Sequence, residues 1–139
     1  MTNPNPSRPM PRSQIRNIAP GDLANYRLPI PGVVSIFHRL SGLLLFLFLP
    51  LLLWLFDLSL SSEQSFDRLV HFSQAWTTRL LLLALGWSLL HHLCAGVRFL
   101  LLDLHLGTER MAARRSSWLV FAVSVPLTLL FALFLFGLL

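Results

Sequence analysis

Residues 89–103 carry the sequence LLHHLCAGVRFLLLD, which ends a long apolar run that begins near Leu80. Imidazole, guanidinium and carboxylate groups are costly inside a bilayer, so their presence in such a run indicates a functional site. On a helix, one face of this stretch carries His92, Gly96, Phe99 and Asp103. The neighbouring face carries His91, Cys94, Arg98 and Leu102. The first face offers a nitrogen ligand and, one turn later, a glycine. A porphyrin needs both a ligand and a bare patch of helix to lie against.

The composition indicates a membrane protein. The chain has 139 residues, of which 55% are hydrophobic and 12% are charged, whereas charged residues make up about 25% of a soluble domain. All basic residues are arginines, and the net charge is +5. Because these arginines alternate with apolar runs of bilayer length, the sequence argues against nucleic-acid binding. Cys94 is the only cysteine and lies in an apolar run, which favours a buried core residue.

The apolar runs predict an all-α fold with three membrane spans at about residues 31–58, 77–103 and 118–139. Together they form a transmembrane domain, 31–139, preceded by a Pro/Arg-rich tail and lead-in segment, 1–30. In that tail Pro20-Gly21-Asp22 predicts a turn, with Asp22 capping a short helical turn through Tyr26. The prolines at 50 and 126 predict bends in the first and third spans.

The segments between the predicted spans contain residues typical of helix caps. Ser61 and Gln64 resemble a capping box for a short interfacial helix. After the second span we expect a loop, 105–117, in which Gly107 caps the helix that ends at Asp103.

The arginines predict the orientation in the membrane. Nine of them flank one side of the predicted spans: Arg8, Arg12, Arg16, Arg27, Arg39, Arg98, Arg110, Arg114 and Arg115. Only Arg68 and Arg79 lie on the other side. The positive-inside rule then places the N-terminus in the cytoplasm, or in a mitochondrial matrix, and the C-terminus outside.

A second polar stripe opens the first span. Ser35, His38, Arg39 and Gly42 have the i, i+3, i+4, i+7 spacing of one helix face. Because the second span runs in the opposite direction, His92 is expected roughly 16 Å deeper than Asp103, below this stripe. A haem with its iron at His92 would point its propionates at His38 and Arg39. The head group of a quinone could accept hydrogen bonds from Ser35 and Arg39.

Each of these residues also has a structural interpretation. Arg39 could simply extend its guanidinium to the interface, and His92 could hydrogen-bond another helix. His91 competes with His92 as a ligand, because only about 100° separates adjacent residues on a helix. Asp103 could cap a helix or pair with an arginine. No second histidine is expected on a helix facing His92, so one chain is a poor source of two axial ligands.

The two motifs resemble a known family. The segment Ser35-Ile-Phe-His38-Arg39-Leu-Ser41-Gly42, followed by His92-x-x-x-Gly96-x-Arg98-x-x-x-x-Asp103, is similar to the cytochrome b membrane-anchor subunit of succinate dehydrogenase, complex II. The preceding Asn25-Tyr26-Arg27-Leu28-Pro29 also resembles that family. The resemblance covers about residues 20–139.

The resemblance implies a non-catalytic subunit that forms half of a heterodimeric anchor for one haem b. A second small three-span subunit would supply the other axial histidine, and a flavoprotein and an iron–sulfur protein would dock on the cytoplasmic face. Electrons from succinate would reach ubiquinone where the iron–sulfur protein meets the anchor. By motif, His92 would bind the iron, His38 and Arg39 would meet the propionates, and Ser35 and Arg39 would line the quinone pocket.

The expected location is the bacterial inner membrane, with the C-terminus in the periplasm. Many members have a histidine directly after the arginine, where this chain has Phe99, which weakens a propionate or proton role at that position. Two alternatives stay open. One is the anchor of a fumarate reductase, and the other is a non-redox membrane scaffold whose polar groups only contact neighbouring helices.

Overall fold

The computed structural model describes residues 28–138. This part of the chain contains four helices: α1 (Ile30–Ser61), α2 (Glu63–Ser73), α3 (Trp76–Asp103) and α4 (Arg110–Leu135). Within it, α1, α3 and α4 are long and apolar enough to cross a membrane. At 1.5 Å per residue they are roughly 48, 42 and 39 Å long, against about 30 Å of hydrocarbon. The predicted all-α fold with three spans is confirmed, and the protein is an integral membrane protein. The predicted turn and cap at residues 20–26 lie outside the described residues.

The connection between the first two spans is helical, as expected, but its cap is not the predicted one. The Ser62 hydroxyl accepts a hydrogen bond from the backbone N–H of Ser65 and starts α2. Ser61 instead donates its hydroxyl to the Asp57 carbonyl, at 2.8 Å, and so belongs to the end of α1. The predicted box at Ser61 and Gln64 was therefore wrong by one residue.

The third long helix begins two turns before the predicted span. Residues 110–117, expected in a loop, form the start of α4. Arginine, methionine and alanine are good helix formers, and they supply most of this segment. Arg98 of α3 also donates hydrogen bonds to Ser116 and to the Ala113 carbonyl, which fastens the segment to its neighbour. The apolar part of α4 still begins near Trp118.

The C-terminus of α3 is closed by His105 rather than by the predicted Gly107. His105 adopts a left-handed conformation with φ 61°, which is uncommon for a residue with a side chain. The Leu106 N–H then donates to the Leu101 carbonyl, at 3.0 Å, and the His105 N–H donates to Leu102, at 2.9 Å. This hydrogen-bond pattern is a Schellman motif, and it satisfies carbonyl groups that the helix leaves free.

Helix α3 lies between the other two spans and contacts both α1 and α4. The three meet at Val34, Ala95 and Val120, one small side chain from each helix. Four serines are fully buried in the same bundle: Ser41, Ser88, Ser117 and Ser124. Small residues let membrane helices approach closely, and this replaces the large apolar core of a soluble protein. Many large apolar side chains are exposed on the outside of the bundle, as expected for membrane-spanning helices.

Candidate functional site

The imidazole of His92 is held by backbone and side-chain groups of α1. Its Nδ1 lies 3.1 Å from the carbonyl oxygen of His38 and 3.4 Å from the Ser41 hydroxyl. A carbonyl oxygen can only accept, so this contact favours the tautomer with the proton on Nδ1. That tautomer leaves Nε2 with its lone pair free. Histidines that bind metals characteristically donate their other N–H to a carbonyl or carboxylate in this way.

Gly42 provides the surface on which the His92 ring lies. A Cβ atom at this position would come 2.8 Å from Cε1 of His92, which real Cβ atoms essentially never do, and 3.1 Å from Nδ1, which is also tight. Gly96, from which we expected the open patch of helix, has a different neighbour. A Cβ there would meet only Nε2 of His38, at an ordinary 3.6 Å. The close approach to the candidate ligand is therefore made by the glycine of α1.

His38 stands directly against His92, which corrects the expectation that no histidine would face it. The two imidazoles are stacked, with centroids 4.2 Å apart and planes 10° from parallel. Axial ligands approach an iron edge-on from opposite sides of the macrocycle, and two rings stacked face to face cannot do so. His38 also contacts Phe99, with ring centroids 5.0 Å apart. It thus forms part of the surroundings of the candidate ligand.

His91, the competing ligand, points into the helix bundle. It is fully buried, and its ring packs against Phe37, Trp87 and Phe121 with centroid distances of 5.4–5.9 Å. Its Nδ1 lies 3.5 Å from the Ser124 hydroxyl, at the limit of a hydrogen bond. No hydrogen-bond partner for its Nε2 occurs among residues 28–138. Three aromatic rings surround this imidazole, so a planar macrocycle has no room beside it.

The other predicted site residues lie along the first turns of α1. Ser35 is half-buried and Arg39, one turn later, is exposed. Phe37, between them in sequence, faces the bundle against Trp87 and His91. The guanidinium of Arg39 is therefore at the surface, and the hydroxyl of Ser35 is partly covered. This arrangement suits a ligand that reaches the protein from the membrane boundary.

Arg98 belongs to a different side of α3. Its guanidinium points towards α4, where Nε donates to Ser116 at 3.0 Å and Nη2 donates to the Ala113 carbonyl at 3.4 Å. The carbon at its centre lies 5.4 Å from the ring centroid of Phe99. Asp103, which shares the His92 face on a helical wheel, is exposed at the end of α3. Neither residue takes part in holding His92.

The described residues offer a single candidate metal ligand, His92, and not a cluster of ligating side chains. Within residues 28–138, no group of three or more histidine, cysteine, aspartate or glutamate side chains is placed to hold a metal ion. The imidazole of His92 is oriented by the hydrogen bond at Nδ1 and is partly exposed. Such a site suits a metal whose remaining ligands come from elsewhere, as the iron of a haem receives four from its porphyrin.

The model of the succinate dehydrogenase/fumarate reductase transmembrane subunits matches residues 12–131. The chain belongs to this family. The resemblance seen in the sequence is thereby confirmed. The match takes in both polar motifs, the first two spans and the third span as far as Phe131.

Several proteins named succinate dehydrogenase cytochrome b556 subunit are similar to this member of the family. That of Coxiella burnetii is 35% identical over 113 residues, covering 74% of this chain and 83% of the relative. That of Rickettsia felis is 31% identical over 108 residues, covering 78% and 84%. That of Paracoccus denitrificans is 32% identical over 105 residues, covering 76% and 81%.

Sequence reasoning missed two residues of the site in this family member. Ser41 is fully buried and donates its hydroxyl to the His38 carbonyl, at 2.9 Å, beside the Nδ1 atom of His92. Gly42 was placed in the α1 stripe but was given no role. A buried serine next to a glycine, one turn after a histidine, marks a close helix approach with a local hydrogen-bond donor. That signal was present in the sequence, but the sequence did not identify the helix that makes the close approach.

Proposed function

We propose that this protein is the haem-binding membrane-anchor subunit of a succinate dehydrogenase, and that it helps to form the site where ubiquinone is reduced. The names of its relatives support succinate dehydrogenase over fumarate reductase. The subunit itself would carry no dehydrogenase chemistry. Flavin and iron–sulfur clusters in partner subunits would pass electrons from succinate to the quinone.

The position of His92 carries the haem assignment. Its Nδ1 is tied to the His38 carbonyl and its ring rests on Gly42, so one nitrogen is oriented and available. The other adjacent imidazole, His91, is enclosed by aromatic rings. These residues fit a haem b ligated at His92. When bound, haem b supplies a one-electron redox centre within the membrane.

The haem would be shared between two subunits. His38, stacked beside His92, and Arg39, exposed on the same helix, would meet the two propionates with a hydrogen-bond donor and a cation. The parallel packing of His38 on His92 argues against these two as the two ligands of one iron. The second ligand would therefore come from another small membrane subunit, which with this chain makes a heterodimeric anchor for one haem.

Ser35 and Arg39 would form this chain's part of the ubiquinone pocket. They lie one turn apart at the start of α1, and both carry hydrogen-bond donors. Negative charge develops on a quinone carbonyl oxygen as it is reduced, and preorganised donors stabilise such charge. The exposed guanidinium of Arg39 would also connect the pocket to water, which supplies the protons for quinol formation.

The distribution of the arginines supports the proposed orientation in the membrane. Arg39, Arg98 and Arg110 lie at the end of the bundle where α1 begins, whereas Arg79 lies at the other end with α2. The positive-inside rule supports a cytoplasmic N-terminus and a periplasmic C-terminus in a bacterial inner membrane. The iron–sulfur protein and the flavoprotein would dock on the cytoplasmic face, with residues 1–30 as a tail on that side and residues 31–139 as the transmembrane domain.

The experiment that tests this function is a haem spectrum of the protein purified with its partner subunits, compared with the full chain expressed alone. We expect a low-spin, bis-histidine signal in the complex and no stable six-coordinate haem in the isolated chain. A complex without haem would favour a membrane scaffold. A stable low-spin haem in the isolated chain would contradict the shared site.

A further inference from the structure

A groove of about 1030 Å³ runs between the second half of α3 and the first half of α4. Its walls are mainly apolar side chains, among them Leu93, Val97, Leu101, Leu119 and Val123. Val97 is about 140° around α3 from His92, so the groove lies away from the proposed haem and quinone sites. Pockets for small ligands typically measure about 300–1,000 Å³, and this one is large enough for a ligand of lipid size.

Two arginines, Arg98 and Arg115, line this apolar groove. Arg98 is only 6% exposed, and its acceptors among residues 28–138, Ser116 and the Ala113 carbonyl, are both uncharged. A guanidinium has five N–H donors, and these two contacts use two of them. Burying a cation without a counter-charge is costly. The lining also contains Arg115 and one acidic residue, Glu109, so positive charge is in excess.

We propose that this groove binds one anionic phospholipid from the leaflet at the end of the bundle where α3 ends and α4 begins. Its phosphate accepts hydrogen bonds from Arg98 and Arg115, and an acyl chain lies along Val97, Leu119 and Val123. A free phosphate would leave the apolar walls uncovered, and a zwitterionic lipid would bring a second cation next to the arginines. This site is independent of the proposed redox function, because neither His92 nor Ser35 lines it.

The test is lipid retention by the full chain, purified from membranes with the subunits that accompany it. The complex is washed in neutral detergent and exposed to equal concentrations of phosphatidylglycerol or phosphatidylcholine, and bound lipid is counted by native mass spectrometry. The variants are Arg98→Gln, Arg115→Gln and Val97→Trp, the last of which fills the groove and leaves both arginines in place. Matched controls are Arg114→Gln and Leu100→Trp, exposed neighbours that do not line the groove.

We expect one tightly held phosphatidylglycerol per complex, with at least tenfold weaker binding in all three groove variants and no change in the two controls. If Arg98→Gln fails to assemble, Arg115→Gln and Val97→Trp decide the question alone. Equal retention of phosphatidylcholine, full displacement by inorganic phosphate, or unchanged binding in the groove variants would each overturn the proposal. A crosslink from position 97 or 119 to a protein subunit instead of to lipid would also overturn it.

Discussion

Replacing Gly42 with alanine tests whether α1 holds His92 in position. The new methyl group would stand 2.8 Å from Cε1 of the imidazole, and ordinary contact begins near 3.4 Å. The ring must therefore move by roughly 0.6 Å, which is enough to weaken a hydrogen bond such as the 3.1 Å contact from Nδ1 to the His38 carbonyl. Loss of one such bond costs about 0.5–1.5 kcal/mol, equivalent to a roughly two- to tenfold weaker hold on haem.

Gly96→Ala is the matched control. Both substitutions add a methyl group inside a long helix, and both gain about 1 kcal/mol of helix propensity, so that contribution cancels in the comparison. The methyl group at position 96 meets only His38, at 3.6 Å. We expect Gly96→Ala to behave like the unmodified protein.

The assay is the transfer of haem from the purified complex to excess apomyoglobin, together with the electron paramagnetic resonance signal of the bis-histidine haem. We expect faster transfer and a shifted signal in Gly42→Ala alone. If Gly42→Ala were indistinguishable from the unmodified protein, or if Gly96→Ala lost haem as fast, the assignment of the close contact to α1 would be wrong.

Three further predictions concern the same sites. His92→Leu should abolish the bis-histidine spectrum and His91→Leu should preserve it, since His91 only packs in the bundle; the reverse outcome would transfer the ligand to His91. Ser35→Ala should remove about 1–3 kcal/mol of stabilisation and so lower succinate–ubiquinone turnover, while succinate oxidation by an artificial acceptor upstream of the quinone continues. Arg39→Leu should have the same effect and should also disturb the haem. Unchanged turnover in both variants would place the pocket elsewhere. Reporter fusions at the two termini should mark opposite compartments, and a cytoplasmic C-terminus would contradict three complete spans.

The sequence was sufficient to predict the spans and their order, because apolar runs of bilayer length have few alternative structures. It could not place the start of α4 at Arg110. The arginines there indicate solvent, and the contact from Arg98 to Ser116 that fastens them to α3 depends on a tertiary arrangement. The helix propensity of residues 110–117 was too weak an indication, by itself, to extend the predicted span across this charged segment.

Within the site, helical periodicity predicted that His91 and His92 lie on different faces of α3. It did not predict which residues of the other helices each of them contacts. A helical wheel shows which residues share a face of α3, and the structure agrees with that grouping for His91 and Arg98. It does not show the rotation of α1, and so His38 was not expected to stack on His92. The close contact of Gly42 with the His92 ring was not predicted for the same reason, since a close approach is a property of two helices.

The two occupied faces of α3 limit how its length can change. His92 points to α1, while Ser88, His91 and Arg98 are buried on the side that packs in the bundle. Deleting or inserting one residue in the helix before this stretch would turn every later side chain by about 100°, moving the imidazole off Gly42 and the guanidinium off Ser116 at once. The connection between Asp103 and Arg110 is exposed and carries no such constraint. Insertions and deletions among descendants of this chain should therefore accumulate in that connection and be absent from α3. Contacts on two faces of α3 fix the rotation of its side chains about the helix axis.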